Sequence, residues 1–184
     1  MERQEQIMQL INDCRKGNEL ALHKMFKSFY SCAMSVCMRY ANDQDEASDM
    51  LNEGFLKVFS NLKKFDGNGS FEAWLKRVMA NSALDYIRKY HKNVKFVDID
   101  ETAEVFLSDN NLNDAISKIS SKEILDMIQQ LPDTTKTVFN LFIFEGYSHS
   151  EIASSLGITE NTSAWHVNNA RNRLKNSIVL NQQN

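Results

Sequence analysis

No window of about 18 residues in this chain is both apolar and free of charge, which argues against a membrane span. The amino terminus, Met1 to Gln9, is polar rather than signal-like, so the expected compartment is the cytoplasm and no membrane insertion is expected. The three cysteines, Cys14, Cys32 and Cys37, form no Cys-x-x-Cys pair, and the four histidines, His23, His91, His149 and His166, are far apart in sequence. A zinc site is therefore not expected. Cys32 and Cys37 sit among Met34, Val36 and Met38 and read as small buried hydrophobes. No phosphate loop, metal cluster or paired acid and base is found, so neither catalysis, a cofactor nor a small-molecule substrate is expected.

What is present is ordinary in amount and unusual in arrangement. Hydrophobic residues make up 42% and charged residues 24% of the 184, close to the average for a folded soluble chain. The net charge of −3 conceals a segregation along the chain. From Lys63 to Lys95 there are eight basic residues and three acidic ones. From Asp98 to Asp114 there are six acids and no Lys or Arg, and after Glu160 come Arg171, Arg173 and Lys175 with no further acid. The first and last of these stretches suit phosphate.

Apolar residues recur at three and four rather than at two, and the glycines and the single proline fall at plausible element ends, so the predicted fold class is all-α. Ile7, Leu10, Ile11 and Cys14 form one stripe ended by Gly17. Asn18 then caps a second helix to about Tyr40. A third begins near Asn42 or Asp43 and turns Met50, Leu51, Phe55 and Val58 inward. Asp66-Gly67-Asn68-Gly69 stops it, and Ser70 caps a fourth that runs to about Tyr90, with Trp74 in its core stripe. Residues 93–114 read as an acidic linker. Beyond it, one short helix reaches Gln130, Pro132 starts the next with Val138, Leu141, Phe142 and Ile143 as its core side, and Ser148 with Glu151 forms a capping box. Glu151 to Thr162 has helix-turn-helix spacing: Gly157 turns the chain, Ile158 plugs the turn and Thr159 caps the second helix. On that helix Ser163, Val167, Ala170 and Leu174 share one face, which leaves Asn161, Thr162, Trp165, His166 and Asn169 for a major groove.

Asp45-Glu46-Ala47-Ser48-Asp49-Met50-Leu51-Asn52-Glu53-Gly54-Phe55, Ser70-Phe71-Glu72-Ala73-Trp74-Leu75, Asn81 to Lys89, and Leu131-Pro132 with Glu145-Gly146-Tyr147-Ser148 and Glu151-Ile152-Ala153 together resemble the extracytoplasmic-function sigma factors. The resemblance spans about residues 20–175. It implies two small helical domains joined by the acidic linker: residues 1–92 for polymerase docking and minus-ten melting, and residues 115–184 for the minus-thirty-five element. It also implies core RNA polymerase, promoter DNA and an anti-sigma factor as partners. By matching positions, Asp49, Asn52 and Glu53 would dock on the clamp helices of the largest polymerase subunit. The Asp66–Ser70 loop and fourth helix would hold a flipped non-template base, with Asn81, Arg88, Lys89 and Lys92 as minus-ten contacts. Asn161, Thr162, Trp165, His166, Asn169, Arg171 and Arg173 would meet the minus-thirty-five element. This chain departs from the family in carrying Asn52 where Gln is usual, and Ala164, His166 and Asn169 where basic residues are usual, so weak DNA binding by the second domain alone is expected. The linker reads either as a solubilising tether or as a chain that occupies the polymerase's basic channel. Two other functions fit less of the sequence: an independent helix-turn-helix regulator, and a sigma-like protein that binds polymerase or an anti-sigma factor without initiating.

Overall fold

The computed structural model describes residues 2–90, 96 and 120–181, and the chain divides into two compact units, Met1–Tyr90 and His91–Asn184. Every regular element among the described residues is helical. None of these helices is long and apolar enough to cross a membrane. The linker 93–114 and Lys92 lie outside the described residues, apart from Phe96.

In the first unit the helix ends are set by short polar side chains that occupy otherwise unpaired backbone N–H groups. α1 covers Glu2–Arg15. Asn18 accepts from the Ala21 N–H at 3.2 Å and opens α2, Glu19–Tyr40. Asp43 accepts from the Glu46 N–H at 2.8 Å and opens α3, Gln44–Asn61, while the Glu46 carboxylate returns to the Asn42 N–H at 2.6 Å. A single 3-10 turn, Leu62–Lys64, leads into the loop before α4, Phe71–Tyr90. Ser70 Oγ accepts from the Ala73 N–H at 3.4 Å. α2, α3 and α4 pack on one another and α1 lies against α2.

Met25, Ala33, Val36, Tyr40, Met50, Val58, Leu75 and Met79 are wholly enclosed. Cys37 is among them, and burial pushes its thiol up to about 12, which keeps it inert; Cys32 is only half-buried, beside Glu72. At the far end Phe65 and Phe71 meet at 5.4 Å, Phe71 and Trp74 at 5.5 Å, and Phe29 and Phe71 at 5.0 Å, with Trp74 half-buried in the cluster. α3 and α4 touch closely because Gly54 has no side chain: a Cβ there would overlap Met79 Sδ. Gly54→Leu therefore overpacks the core at a cost of about 1–3 kcal/mol. A thermal melt should show the first unit unfolding at least several degrees earlier than in the parent chain.

The second unit is built around a buried central helix. α5, Ser121–Gln129, starts with a capping box between Ser120 and Glu123, and α6, Asp133–Ile143, follows Pro132. Ser148 and Glu151 form the expected capping box at the start of α7, His149–Leu156. α8 runs Glu160–Asn181. α6 packs against both α7 and α8, so every residue from Thr135 to Leu141 is buried. The expected core side of α6 needs one correction. Ile143 is 42% exposed and Phe142 is half-buried, so the all-round enclosure of α6 ends at Leu141, short of the end of the helix.

Candidate nucleic-acid and partner interfaces

α3 turns an acidic and polar row outward. Asp49 and Asn52 are exposed, Glu53 is half-buried, and Leu56, one turn beyond Asn52, is 70% exposed. Leu56 was not among the expected site residues. Its signal in the sequence is only that it falls outside the apolar stripe of its own helix. Beside this row stands the last turn of α4. Tyr90 Oη donates to Glu53 Oε1 at 3.3 Å, Lys89 Nζ lies 3.7 Å from the same oxygen and 4.5 Å from the centroid of the Tyr90 ring, and Tyr86 stacks obliquely on Tyr90 at 4.5 Å. Partial burial, then the negative charges of Asp49 and Glu46, raise the Tyr86 phenol above its ordinary value.

The expected minus-ten residues divide on α4. Asn81 and Arg88 are seven positions apart, hence on one face, and both are exposed. Asp85 lies between them: it accepts from Lys57 Nζ at 2.7 Å and sits 3.5 Å from Arg88 Nη1. It orients cations. Lys89, one residue on from Arg88, is turned toward Glu53 and so belongs with the acidic row as much as with the Asn81–Arg88 face. The loop before α4 is held by Asp66, whose carboxylate accepts from the Asn68 N–H at 2.9 Å and from Asn68 Nδ2 at 3.0 Å. Those hydrogen bonds hold the Asp66 carboxyl below its ordinary range.

The α7–turn–α8 segment has helix-turn-helix geometry. Gly157 adopts φ +70°, ψ +36°, the left-handed conformation that a glycine accepts without steric cost, and its N–H closes α7 on the Ala153 carbonyl. Ile158 is buried as the plug. Thr159 Oγ1 accepts from the Thr162 N–H at 3.1 Å and donates to Thr162 Oγ1 at 3.0 Å.

Two expected groove residues are corrected by this packing. Thr162 and His166 are only 2% and 6% exposed. Thr162 is drawn into the cap, and the His166 ring is buried with its Nδ1 3.0 Å from Thr135 Oγ1 on α6. Neither side chain is presented to a groove. The outward stripe of α8 instead runs through Asn161, Trp165 and Asn168, with Asn169 at its edge. Asn168 was not expected; it is seven residues from Asn161, the helical repeat that would have found it. Arg171 and Arg173 are exposed and lie ~200° apart round the helix, on opposite flanks of the stripe. Arg173 Nε donates to Asn169 Oδ1 at 2.8 Å, so Asn169 steadies a cation before it can read a base.

His166 also gives the second unit an acid sensitivity. Burial pushes its pKa down to about 4, from about 6.5 for an exposed imidazole. Since the folded value lies below the unfolded one, this contribution is complete above about pH 6.5 and is lost as pH falls toward 4, by up to about 3 kcal/mol. The melting temperature of the second unit should fall through that window, and His166→Gln should remove most of the dependence.

Two family models match the chain: sigma-70 region 2 over residues 25–93 and sigma-70 region 4 over residues 121–174. Among characterised proteins it is similar to the RNA polymerase sigma-H factor of Pseudomonas aeruginosa, 27% identical over 95% of both chains. It is similar also to the ECF RNA polymerase sigma factor SigW of Bacillus subtilis, 26% identical over 94% of this chain and 96% of the other, and to the ECF RNA polymerase sigma-E factor of Haemophilus influenzae, 25% identical over 92% and 93%. Among solved structures, the sigma factor RpoE in complex with the anti-sigma factor NepR from Bartonella quintana shares the fold with a TM-score of 0.50 at 16% identity, covering 85% of this chain and 95% of that one.

Proposed function

The chain belongs to the sigma-70 family, in its extracytoplasmic-function group, and on that basis we propose how its two helical units divide the work of starting transcription. It is an alternative sigma factor that binds core RNA polymerase and directs initiation at particular promoters. The first domain, residues 1–92, docks on polymerase through Asp49, Asn52 and the exposed Leu56, with Glu53 at the margin. The same domain opens the minus-ten region through the loop at Asp66–Ser70 and the Asn81–Arg88 face, with Lys92 as a further contact to the DNA backbone. The second domain, residues 115–184, lays α8 in the major groove at the minus-thirty-five element. There Asn161, Trp165 and Asn168 meet bases or sugars, and Arg171 and Arg173 hold the phosphates on either side.

The observation that carries this reading is the opposition of charge within the first unit. An acidic row on α3, and an α4 that carries Lys76, Arg77, Arg88 and Lys89 against Glu72 and Asp85, serve two different polyelectrolytes, one protein and one nucleic acid. The chain adds address and strand opening, while polymerase supplies the chemistry, and it works in the cytoplasm where polymerase is. The first two turns of α8 carry no Lys or Arg, so the second unit is a weak binder that becomes effective once polymerase holds both units over one promoter. An anti-sigma factor, of the kind that accompanies the Bartonella relative, is the partner expected to hold it inactive. The test is co-migration with purified core polymerase followed by permanganate footprinting on a matched promoter. Reactive thymines in the minus-ten region that depend on both proteins support the reading, and binding without any opening counts against it.

A further inference from the structure

Two imidazole rings tie α8 to the helices beneath it. His149, the first residue of α7, is half-buried and stacks on Phe142 of α6, with centroids 4.4 Å apart and planes 11° from parallel. Its Nδ1 shares a hydrogen bond with Ser163 Oγ of α8 at 3.0 Å. Nearly one turn further along α8, His166 Nδ1 shares a hydrogen bond with Thr135 Oγ1 of α6, also at 3.0 Å. Ser163, Thr135 and His166 are all buried. Burial lowers the pKa of both rings, that of His166 to about 4. At neutral pH each is therefore an uncharged imidazole, and neither bond brings a charge into the core.

Apolar contacts on the same inner side of α8, at Val167 and Ala170, hold the helix down but leave it free to turn, because hydrophobic burial has no direction. A hydrogen bond has one. Two such bonds, at Ser163 and His166 and directed to two different helices, fix the rotation of α8. Turning a helix by about 20° carries a side chain about 6 Å from its axis through about 2 Å, whereas a contacting group must be held to within about 0.5 Å. At one point the link to the outward stripe is direct: the Trp165 ring meets the His166 ring edge-on, with centroids 5.0 Å apart and planes at 82°. Rotation matters more here than on a helix rich in cations. With no Lys or Arg on α8 before Arg171, no side-chain cation on its first turns can align it against the phosphates.

We propose that Thr135, His149, Ser163 and His166 are positioning residues for base selection at the minus-thirty-five element: their two hydrogen bonds set the rotation of α8, and with it the base edges that Asn161, Trp165 and Asn168 reach. They act through α8 rather than by touching DNA. The proposal rests on the minus-thirty-five reading above and sharpens it, since selectivity then depends on two hydroxyls that face the core.

The experiment uses the full chain with core polymerase on promoters randomised at each position of the minus-thirty-five element, and reads the spread of initiation between the best and worst base at every position. Thr135→Val with Ser163→Ala removes both hydroxyls at nearly constant shape. It should narrow the spread about tenfold at one or more positions, the scale of one mismatched base pair, and leave initiation unchanged on a promoter whose element is scrambled. Thr135→Ser with Ser163→Thr keeps both hydroxyls while altering the packing. That variant should keep the parent's base preferences even where its melting temperature drops as far. Should the hydroxyl-free double variant fail to fold, Thr135→Val and Ser163→Ala are read singly, each beside its hydroxyl-keeping counterpart. A parent-like spread in the hydroxyl-free variants overturns the proposal. Equal narrowing in the hydroxyl-keeping variants also overturns it, because packing alone would then be the cause. If the parent shows no base preference at any position of the element, the minus-thirty-five reading falls and the proposal falls with it.

Discussion

Replacing Asp49 with lysine and Asn52 with alanine together lowers affinity for core RNA polymerase by about 30-fold or more, the ~2 kcal/mol lower bound for losing a complementary charge at a desolvated interface. Both side chains are exposed, and neither supports the core formed by Met50, Leu51 and Phe55, so the melting temperature should stay within the small range of ordinary surface substitutions. Leu56 sharpens the argument. A leucine with 70% of its surface exposed, placed next to Asn52 in a row of acids, has the make-up of an interface centre with a polar rim. Leu56→Ala should weaken the complex without changing its salt dependence, whereas Asp49→Lys should change both. Glu53→Gln should cost less than Asp49→Asn, because Lys89 and Tyr90 already offset the Glu53 charge. Equilibrium binding of labelled chain to core polymerase at two salt concentrations reads all five variants.

Arg171→Glu with Arg173→Glu lowers initiation about 100-fold at promoters that depend on a minus-thirty-five element, at physiological salt. The two residues flank the outward stripe of α8, and each reversal replaces attraction to a phosphate by repulsion. The slope of log affinity against log salt should become shallower by about 1.8, or 0.9 for each phosphate that is no longer neutralised. Asn161, Trp165 and Asn168 lie between those flanks. Asn168→Ala should instead relax sequence preference at one or two positions with little change in slope, since base contacts specify and phosphate contacts position. Initiation measured at 50 and 200 mM salt on promoters with intact and scrambled minus-thirty-five elements separates the two effects.

Local signals in the sequence carried the element ends. Asn18, Asp43, Ser70, Ser148 and Gly157 each act on backbone groups within a few residues, so their roles could be read without the fold. The capping box at Ser120 and Glu123 was not among the expected caps, although its signal, a serine three residues before a glutamate ahead of an apolar helix, is just as local.

What the sequence did not disclose depends on partners distant in the chain. Thr162 and His166 look like groove residues because they are polar and sit near the start of a recognition helix. His166 is inward, where its Nδ1 and the Thr135 hydroxyl of another helix share a hydrogen bond. A buried polar side chain with a partner leaves no mark on hydrophobic periodicity. Lys89 is likewise diverted by Glu53, 36 positions earlier. Phe142 and Ile143 are as apolar as Leu141, and nothing local in the sequence marks that the enclosure of α6 ends at Leu141. The stripe of α1 is visible in its sequence, but nothing local announces that Arg15 donates to the Leu62 and Phe65 carbonyls about fifty residues on.

Run-off transcription with core polymerase, with and without this chain, on pooled genomic promoter fragments tests whether it initiates. Discrete start sites that appear only with the chain, and that disappear with Asp49→Lys/Asn52→Ala, are the predicted outcome. Binding to core polymerase with no new transcript from any fragment would contradict the account.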